Sequence, residues 1–167
     1  MKVRAQSVKV RPVRWIPFPV EHIPDRYKQP SAAPRLATCP VCHAVFMRGH
    51  WQWRAVPPGA ARLVCSACAR IADGVPAARV VLGGGFETAH RKEILALVRH
   101  REAQLRAQHP MERVMSMDSD EQGTVIVTTG VHMARDIGNA VHHAYHGKLA
   151  IDYDNAETEL RVSWHRD

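Results

Sequence analysis

The chain has 167 residues, of which 46% are hydrophobic and 23% charged, a composition typical of a globular protein rather than a largely disordered one. Its formal net charge is +7. Residues 1–36 hold eight Lys and Arg against two Asp and Glu, residues 37–70 hold four against none, and residues 71–167 hold eleven against fourteen. This basic excess in the first seventy positions indicates a polyanionic partner such as RNA or the ribosome, or else an acidic protein surface.

The first predicted segment, residues 1–36, is a basic arm rich in proline. The runs RPVRWIPFPVEHIP and RYKQPSAAPR interleave proline with basic and aromatic side chains. Because proline fixes φ and removes a backbone donor, the arm is predicted to be extended and unable to form a packed core alone. It is either a solvated linker or an arm that orders on a partner, with Arg11, Arg14 and Trp15 as candidate RNA contacts.

The start of the chain, MKVRAQSVKVRPVRW, has basic residues where a signal peptide needs an apolar stretch. No apolar run approaches the roughly 18 residues that would suggest a membrane span. We therefore expect a cytoplasmic protein without a membrane partner. In that reducing compartment, clustered cysteines are expected to bind metal rather than to form disulfides.

The second predicted segment, residues 37–75, is a zinc ribbon. It holds all four cysteines in two pairs, Cys39-x-x-Cys42 and Cys65-x-x-Cys68, separated by 22 residues. Each CxxC turn directs two thiolates to one side, and two such turns complete a tetrahedral shell of four sulfurs around Zn²⁺. Because this shell leaves no open position for water, the site is predicted to be structural rather than catalytic. Iron in the same shell is the chemical alternative, and a redox disulfide pair is another.

From about residue 25 the chain resembles a group of short bacterial zinc-ribbon proteins without an established activity. The resemblance rests on the runs DRYKQP, CPVCHAVFMRGHWQW, CSACARIADGVPAARVVLGGGF, HRKEILALVRHREA, HPMERVMSM and VTTGVHMARDIGNAVHHAYHGKL. The paired CxxC ribbon is also distantly similar to the nonsense-mediated-decay family, an export adaptor of the large ribosomal subunit. These resemblances imply a bound zinc and a ribbon followed by an α/β domain. The chain departs from such ribbons at His43, where a glycine often follows the second cysteine.

Basic and aromatic side chains around the cysteines form a second candidate surface for RNA. Charge would neutralise phosphates, and tryptophan rings would stack on bases. The candidates are Arg48, Trp51, Trp53, Arg54, Arg62 and Arg70. The alternative for the two tryptophans is a small ribbon core, and only one of the two is expected to face outward.

The third predicted segment, residues 76–167, is a ferredoxin-like α/β sandwich, so the whole chain is assigned to the α+β class. The predicted elements are a strand at 79–82, a helix at 88–108, strands at 113–117 and 124–128, a helix between Thr129 as N-cap and Gly147, and a hairpin of 149–153 and 160–164. This order places two helices on one face of an antiparallel sheet. The segment is expected to fold without the ribbon.

Two motifs in this segment have alternative explanations. The histidines at 142, 143 and 146 lie near the end of the second helix, where they suit a metal, a partner contact or the helix dipole. The Gly83-Gly84-Gly85 run lacks the following Lys-Ser/Thr of a P-loop and is predicted to be a flexible turn.

No nucleophile elbow and no cysteine–histidine pair free of metal duty is visible, and no small-molecule substrate is evident. We therefore expect a zinc-binding, non-catalytic protein associated with RNA or the ribosome. The alternatives are an adaptor that docks on an acidic protein and an accessory subunit of an enzyme.

Overall fold

The computed structural model describes residues 25–28, 33–153 and 159–167. Within these ranges it contains three helices and two mixed sheets, which confirms the α+β class. We call residues 33–75 the cysteine module and the described residues from 76 onward the α/β module. The predicted RNA contacts Arg11, Arg14 and Trp15 lie outside the described residues.

The cysteine module is built on a small four-stranded sheet. Its elements are β1 (Leu36–Thr38), β2 (Val45–Met47), β3 (His50–Gln52), β4 (Ala61–Arg62) and α1 (Ser66–Asp73). The strand order is β3-β2-β1-β4, with β4 parallel to β1 and the other pairs antiparallel. Because β1 and β4 are parallel, the segments that follow the two strands leave the sheet side by side. Cys39 after β1 therefore lies close to Cys65, three residues after β4.

The α/β module is built on a five-stranded sheet. Its elements are β5 (Ala78–Gly83), α2 (Gly85–Gln108), β6 (Val114–Ser119), β7 (Thr124–Thr128), α3 (Val131–Tyr145), β8 (Lys148–Tyr153) and β9 (Leu160–His165). The strand order is β6-β7-β5-β9-β8. Three neighbouring pairs are antiparallel, but β5 and β9 are parallel.

The parallel pair corrects the prediction of a wholly antiparallel sheet. In β9 the alternate residues Leu160, Val162 and Trp164 are all buried, whereas β8 has no buried residue. Because the more apolar strand buries more surface in an interior position, β9 lies beside β5 and leaves β8 at the edge. The split β-α-β unit of β5, α2 and β6, with β7 between the two strands, agrees with the predicted element order.

One face of the large sheet and the two long helices enclose the main core. The strands contribute alternate residues, and the helices contribute one apolar stripe each. The larger members are Val80, Leu82, Ile126, Leu160, Val162 and Trp164 from the sheet, with Ile94, Val98, Met133, Ile137 and Val141 from the helices. Each helix therefore packs one apolar face against the sheet. A bidentate ion pair between Arg101 of α2 and Asp136 of α3, at 2.9 and 2.6 Å, joins the two helices.

The start of α3 differs from the prediction at Thr129. The N-cap residue is Gly130, and the carboxylate of Glu112 accepts a hydrogen bond from the backbone N–H of Met133 at 2.8 Å. The hydroxyl of Thr129 instead donates to the carbonyl of Met111 at 2.6 Å and accepts from the backbone N–H of Arg113 at 3.0 Å. A carboxylate at a helix N-terminus is favoured by the dipole, so a residue distant in sequence replaces the local cap.

Candidate metal centre

The four cysteines converge at one point. Their sulfur atoms all lie within 4.8 Å of one another, and those of Cys42 and Cys65 are 3.7 Å apart. Tetrahedral zinc with Zn–S bonds of about 2.3 Å requires sulfur separations of about 3.8 Å, whereas a disulfide requires about 2.05 Å. Cys39 and Cys65 are fully buried, and Cys42 is the one half-buried ligand. This donor set fits a four-coordinate metal ion such as zinc.

The first knuckle is a tight turn from Cys39 to Ala44. The backbone N–H of His43 donates to the carbonyl of Cys39, and the N–H of Cys39 donates to the carbonyl of Ala44, both at 2.9 Å. His43 has a φ of +64°, in the left-handed region that favours glycine. The departure from glycine at this position therefore leaves the turn intact at the cost of local backbone strain.

The second knuckle is the start of α1. Cys65 is the N-cap residue, and its sulfur accepts a hydrogen bond from the backbone N–H of Cys68 at 3.4 Å. The backbone N–H of Cys65 in turn donates to the sulfur of Cys39 at 3.4 Å. These donors and the N-terminal end of the helix dipole offset part of the burial that disfavours a thiolate, the form that binds metal.

The ligand pKa values are shifted in opposite directions. Burial raises the pKa of Cys39, but backbone donors from Cys65, Cys42 and Val41 outweigh it and lower the value to about 7. Burial raises the pKa of both Cys65 and Cys68 above the ordinary thiol value. A bound metal would therefore displace protons from the buried thiols.

A residue of the α/β module completes the surroundings of the sulfurs. Arg113 is 5% exposed, and its guanidinium lies 3.3 Å from the sulfur of Cys68 and 3.9 Å from that of Cys65. Burial lowers the pKa of Arg113, but hydrogen bonds to Cys42 and Cys68 outweigh it and raise the value overall. The sequence does not predict that Arg113 belongs to the metal centre. In the sequence it is only a single arginine directly before the half-apolar strand β6.

Two of the predicted RNA contacts are used inside the protein. Trp51 is buried and packs on Phe46, with ring centroids 5.3 Å apart, as the alternative of a small ribbon core expects. Arg70 is also buried; its guanidinium donates to the carbonyls of Val75 and Pro76 and pairs with Asp25 at 2.7 Å. Neither side chain is available to a base or a phosphate in this arrangement.

The other four predicted contacts of the cysteine module lie at its surface. Arg48, Arg54 and Arg62 are exposed. Trp53 is 38% exposed, and its indole N–H donates to the carbonyl of Arg106 in α2 at 2.7 Å. Trp53 therefore bridges the two modules and leaves part of its ring in solvent.

A short piece of the predicted arm packs on α1. The hydroxyl of Tyr27 donates to Asp73 at 2.8 Å, and the guanidinium of Arg70 lies 4.4 Å from the centre of the Tyr27 ring. Asp25 forms the ion pair with Arg70 described above. Residues 25–28, a described part of the predicted arm, are thus packed on the cysteine module.

The remaining motifs do not form a second metal site or a phosphate cradle. Among the described residues, the cysteines are the one group of three or more His, Cys, Asp or Glu side chains placed to share a metal. In the glycine run, the N–H of Phe86 donates to the carbonyl of Arg166 at 3.1 Å. A Cβ at Gly84 would collide with that same backbone, so the run allows close packing rather than anion binding.

No protein-family model matches the chain, and no curated protein or solved structure matches it either. In the part of the chain that the structure describes, no helix has the length and apolar character needed to cross a membrane. The fold and the geometry of the site define the class of the protein. It is an α+β protein with a cluster of four cysteines that can hold a metal ion.

Proposed function

We propose that this chain is a zinc-binding, non-catalytic protein whose cysteine module binds RNA or a ribosomal particle. The observation that carries the proposal is a set of three exposed arginines on a module with no acidic residue between positions 37 and 70. The four sulfurs fill a tetrahedral shell, which supports a structural rather than a catalytic role for the metal.

The exposed arginines of the cysteine module differ in their pairing from three arginines of the α/β module. In the α/β module, Arg79, Arg91 and Arg101 each form an ion pair with a carboxylate. None of the three arginines at 48, 54 and 62 has such a pair among the described residues. Within the part of the chain that the structure describes, no carboxylate neutralises their charge, which supports binding of an external anion.

The three arginines occupy two edges of the small sheet. Arg48 lies in the turn between β2 and β3, and the guanidinium of Arg54 lies 3.7 Å from the sulfur of Met47 at the end of β2. Arg62 belongs to β4 at the opposite edge. Three separate charges spread across a rigid module suit successive phosphates of a nucleic-acid backbone.

A second candidate function is an adaptor that docks on an acidic protein. It is favoured by the apolar side chains at the surface of the cysteine module. Of the six large hydrophobic side chains exposed among the described residues, five lie between positions 41 and 71: Val41, Trp53, Val56, Val64 and Ile71. Exposed apolar groups of this kind mark protein interaction surfaces.

The test compares two variants that lose the same charge. One changes Arg48, Arg54 and Arg62 to Gln, and the control changes the exposed α2 residues Lys92, Arg99 and Arg106 to Gln. Binding to a fluorescent single-stranded RNA is measured by anisotropy at several salt concentrations, and binding to ribosomes by co-sedimentation.

We expect the first variant to bind RNA more weakly and the control to bind as the unmodified protein does. Each lost phosphate contact reduces the salt slope by about 0.7 for a single strand, so the slope should fall by about 2. Equal binding by both variants would contradict the proposal. Recovery of an acidic protein, without RNA, after crosslinking in cells would support the adaptor instead.

A further inference from the structure

Arg113 is a buried cation whose counter-charge is unusual. Its side chain donates to the carbonyl of Pro110 at 2.7 Å and to the sulfurs of Cys68 and Cys65, and no carboxylate pairs with it among the described residues. The other buried arginine, Arg70, has the carboxylate of Asp25. Because an unpaired buried charge is costly, the sulfurs, as thiolates in the metal-bound form, are the groups that would balance Arg113.

The charges of the site explain why a guanidinium fits there. Four thiolates around a divalent metal carry a net charge of −2, and one guanidinium reduces it to −1. N–H···S hydrogen bonds also draw electron density from the sulfurs and fix their orientation. Such outer partners commonly contribute 10- to 100-fold to metal affinity.

The α/β module holds Arg113 rigidly in this position. The backbone N–H of Arg113 donates to the hydroxyl of Thr129 at 3.0 Å, and the N–H of Thr129 donates back to the carbonyl of Arg113 at 2.9 Å. On the other side, the guanidinium lies 5.8 Å from the centre of the Trp53 ring. The junction between β6, β7 and α3 therefore determines where the guanidinium meets the sulfurs.

We propose that Arg113 is a positioning residue of the metal centre, contributed by the α/β module, that balances the tetrathiolate charge and makes metal affinity depend on the contact between the two modules. This role rests on the proposed zinc binding and is independent of the proposed RNA binding. The affinity of the cysteine module for metal then depends partly on its contact with the α/β module.

The test uses Arg113→Met in the full chain, with Arg101→Met as the matched control. Arg101 is also an arginine of the α/β module with a bidentate contact, but it faces Asp136 and not the sulfurs. Zinc affinity is measured by competition with a coloured chelator. We expect Arg113→Met to bind zinc 10- to 100-fold more weakly and the control to bind as the unmodified protein does.

A spectroscopic measurement separates this role from a general loss of stability. With Co²⁺ in place of zinc, the sulfur-to-metal charge-transfer band should move to longer wavelength in Arg113→Met, because the thiolates lose their N–H donors. The control should leave the band in place. Should Arg113→Met fail to fold, Arg113→Gln removes the charge while keeping a polar side chain and is expected to weaken zinc binding in the same direction. Zinc affinity within twofold of the unmodified protein, with an unmoved cobalt band, would overturn the proposal.

Discussion

Arg113 and Cys68 are in contact although 45 residues separate them, with the guanidinium nitrogen 3.3 Å from the sulfur. Other contacts also cross between the modules. The indole of Trp53 donates to the carbonyl of Arg106, and the hydroxyl of Ser66 donates to the sulfur of Met111 at 3.1 Å. The two modules therefore share an interface at the cysteine cluster and are not connected by the chain alone.

Loss of one ligand should release the metal and unfold the cysteine module. Structural zinc sites contribute about 10–16 kcal/mol of apparent binding free energy at pH 7, which the small core around Phe46 and Trp51 cannot replace. Elemental analysis of Cys39→Ser and Cys65→Ser should show protein without stoichiometric zinc. Ser66→Ala, beside a ligand but not one itself, is the control and should keep one zinc. Full zinc content in both cysteine variants would contradict the site.

His43→Gly should stabilise the first knuckle. The backbone at His43 is left-handed, which glycine adopts without a Cβ clash, and we expect a gain of about 0.5–1 kcal/mol in the free energy of unfolding. The measurement is chemical denaturation of the metal-loaded protein. The control is His50→Gly in the extended strand β3, where glycine should cost about 0.5–1 kcal/mol. Loss of stability in both variants would show that the knuckle is not strained.

Glu87 should make stability depend on pH. Its buried carboxylate accepts from two nitrogens of Arg91 at 2.9 Å and from the hydroxyl of Thr124 at 2.7 Å. Burial raises the pKa of Glu87, but these hydrogen bonds outweigh it and lower the value below the ordinary 4.5. A carboxyl with a lowered pKa contributes stability that is present above its unfolded pKa and is lost as pH falls through its folded pKa.

Glu87→Gln should therefore cost about 2 kcal/mol in the free energy of unfolding at pH 7, and progressively less below about pH 4.5. Urea denaturation at a series of pH values checks both the size and the trend. Glu93→Gln removes an exposed carboxylate from the same helix and should change little at any pH. A cost for Glu87→Gln that stays constant down to pH 3 would show that its charge is not the source of the stability.

A fragment of residues 76–167 should fold, but less stably than the full chain. Its core of strands and two helices is complete without the cysteine module, so a cooperative thermal transition is expected. The fragment loses the contacts of Trp53 with Arg106 and of Ser66 with Met111, so its unfolding temperature should be several degrees lower. Circular dichroism on both chains provides the comparison. A fragment without a cooperative transition would mean that the core depends on the cysteine module.

The sequence predicted those features that depend on neighbouring positions. Strand β7 has its predicted bounds because 124–128 is an uninterrupted run of β-branched residues. The four ligands were predicted because CxxC spacing fixes the geometry of a knuckle locally. Helix α2 begins at Gly85, three residues before the predicted start. The prediction began too late because glycine has a poor intrinsic preference for a helix.

The remaining features depend on contacts between distant positions. No local pattern states which strand will be the neighbour of β9, so its parallel pairing with β5 was missed. Glu112 replaces the local cap of α3 from 21 residues upstream of its partner Met133. Arg113 could be recognised as part of the metal centre only after the fold had placed it beside the sulfurs.

The interior position of β9 limits the order in which a growing chain can complete the sheet. The sheet has a gap between β5 and β8 until residues 160–165 have emerged from the ribosome, since β9 pairs with both. All four metal ligands have been synthesised by Cys68, long before that strand. All four sulfurs can thus be presented to a metal ion before the large sheet is complete, and before Arg113 has been added to the chain.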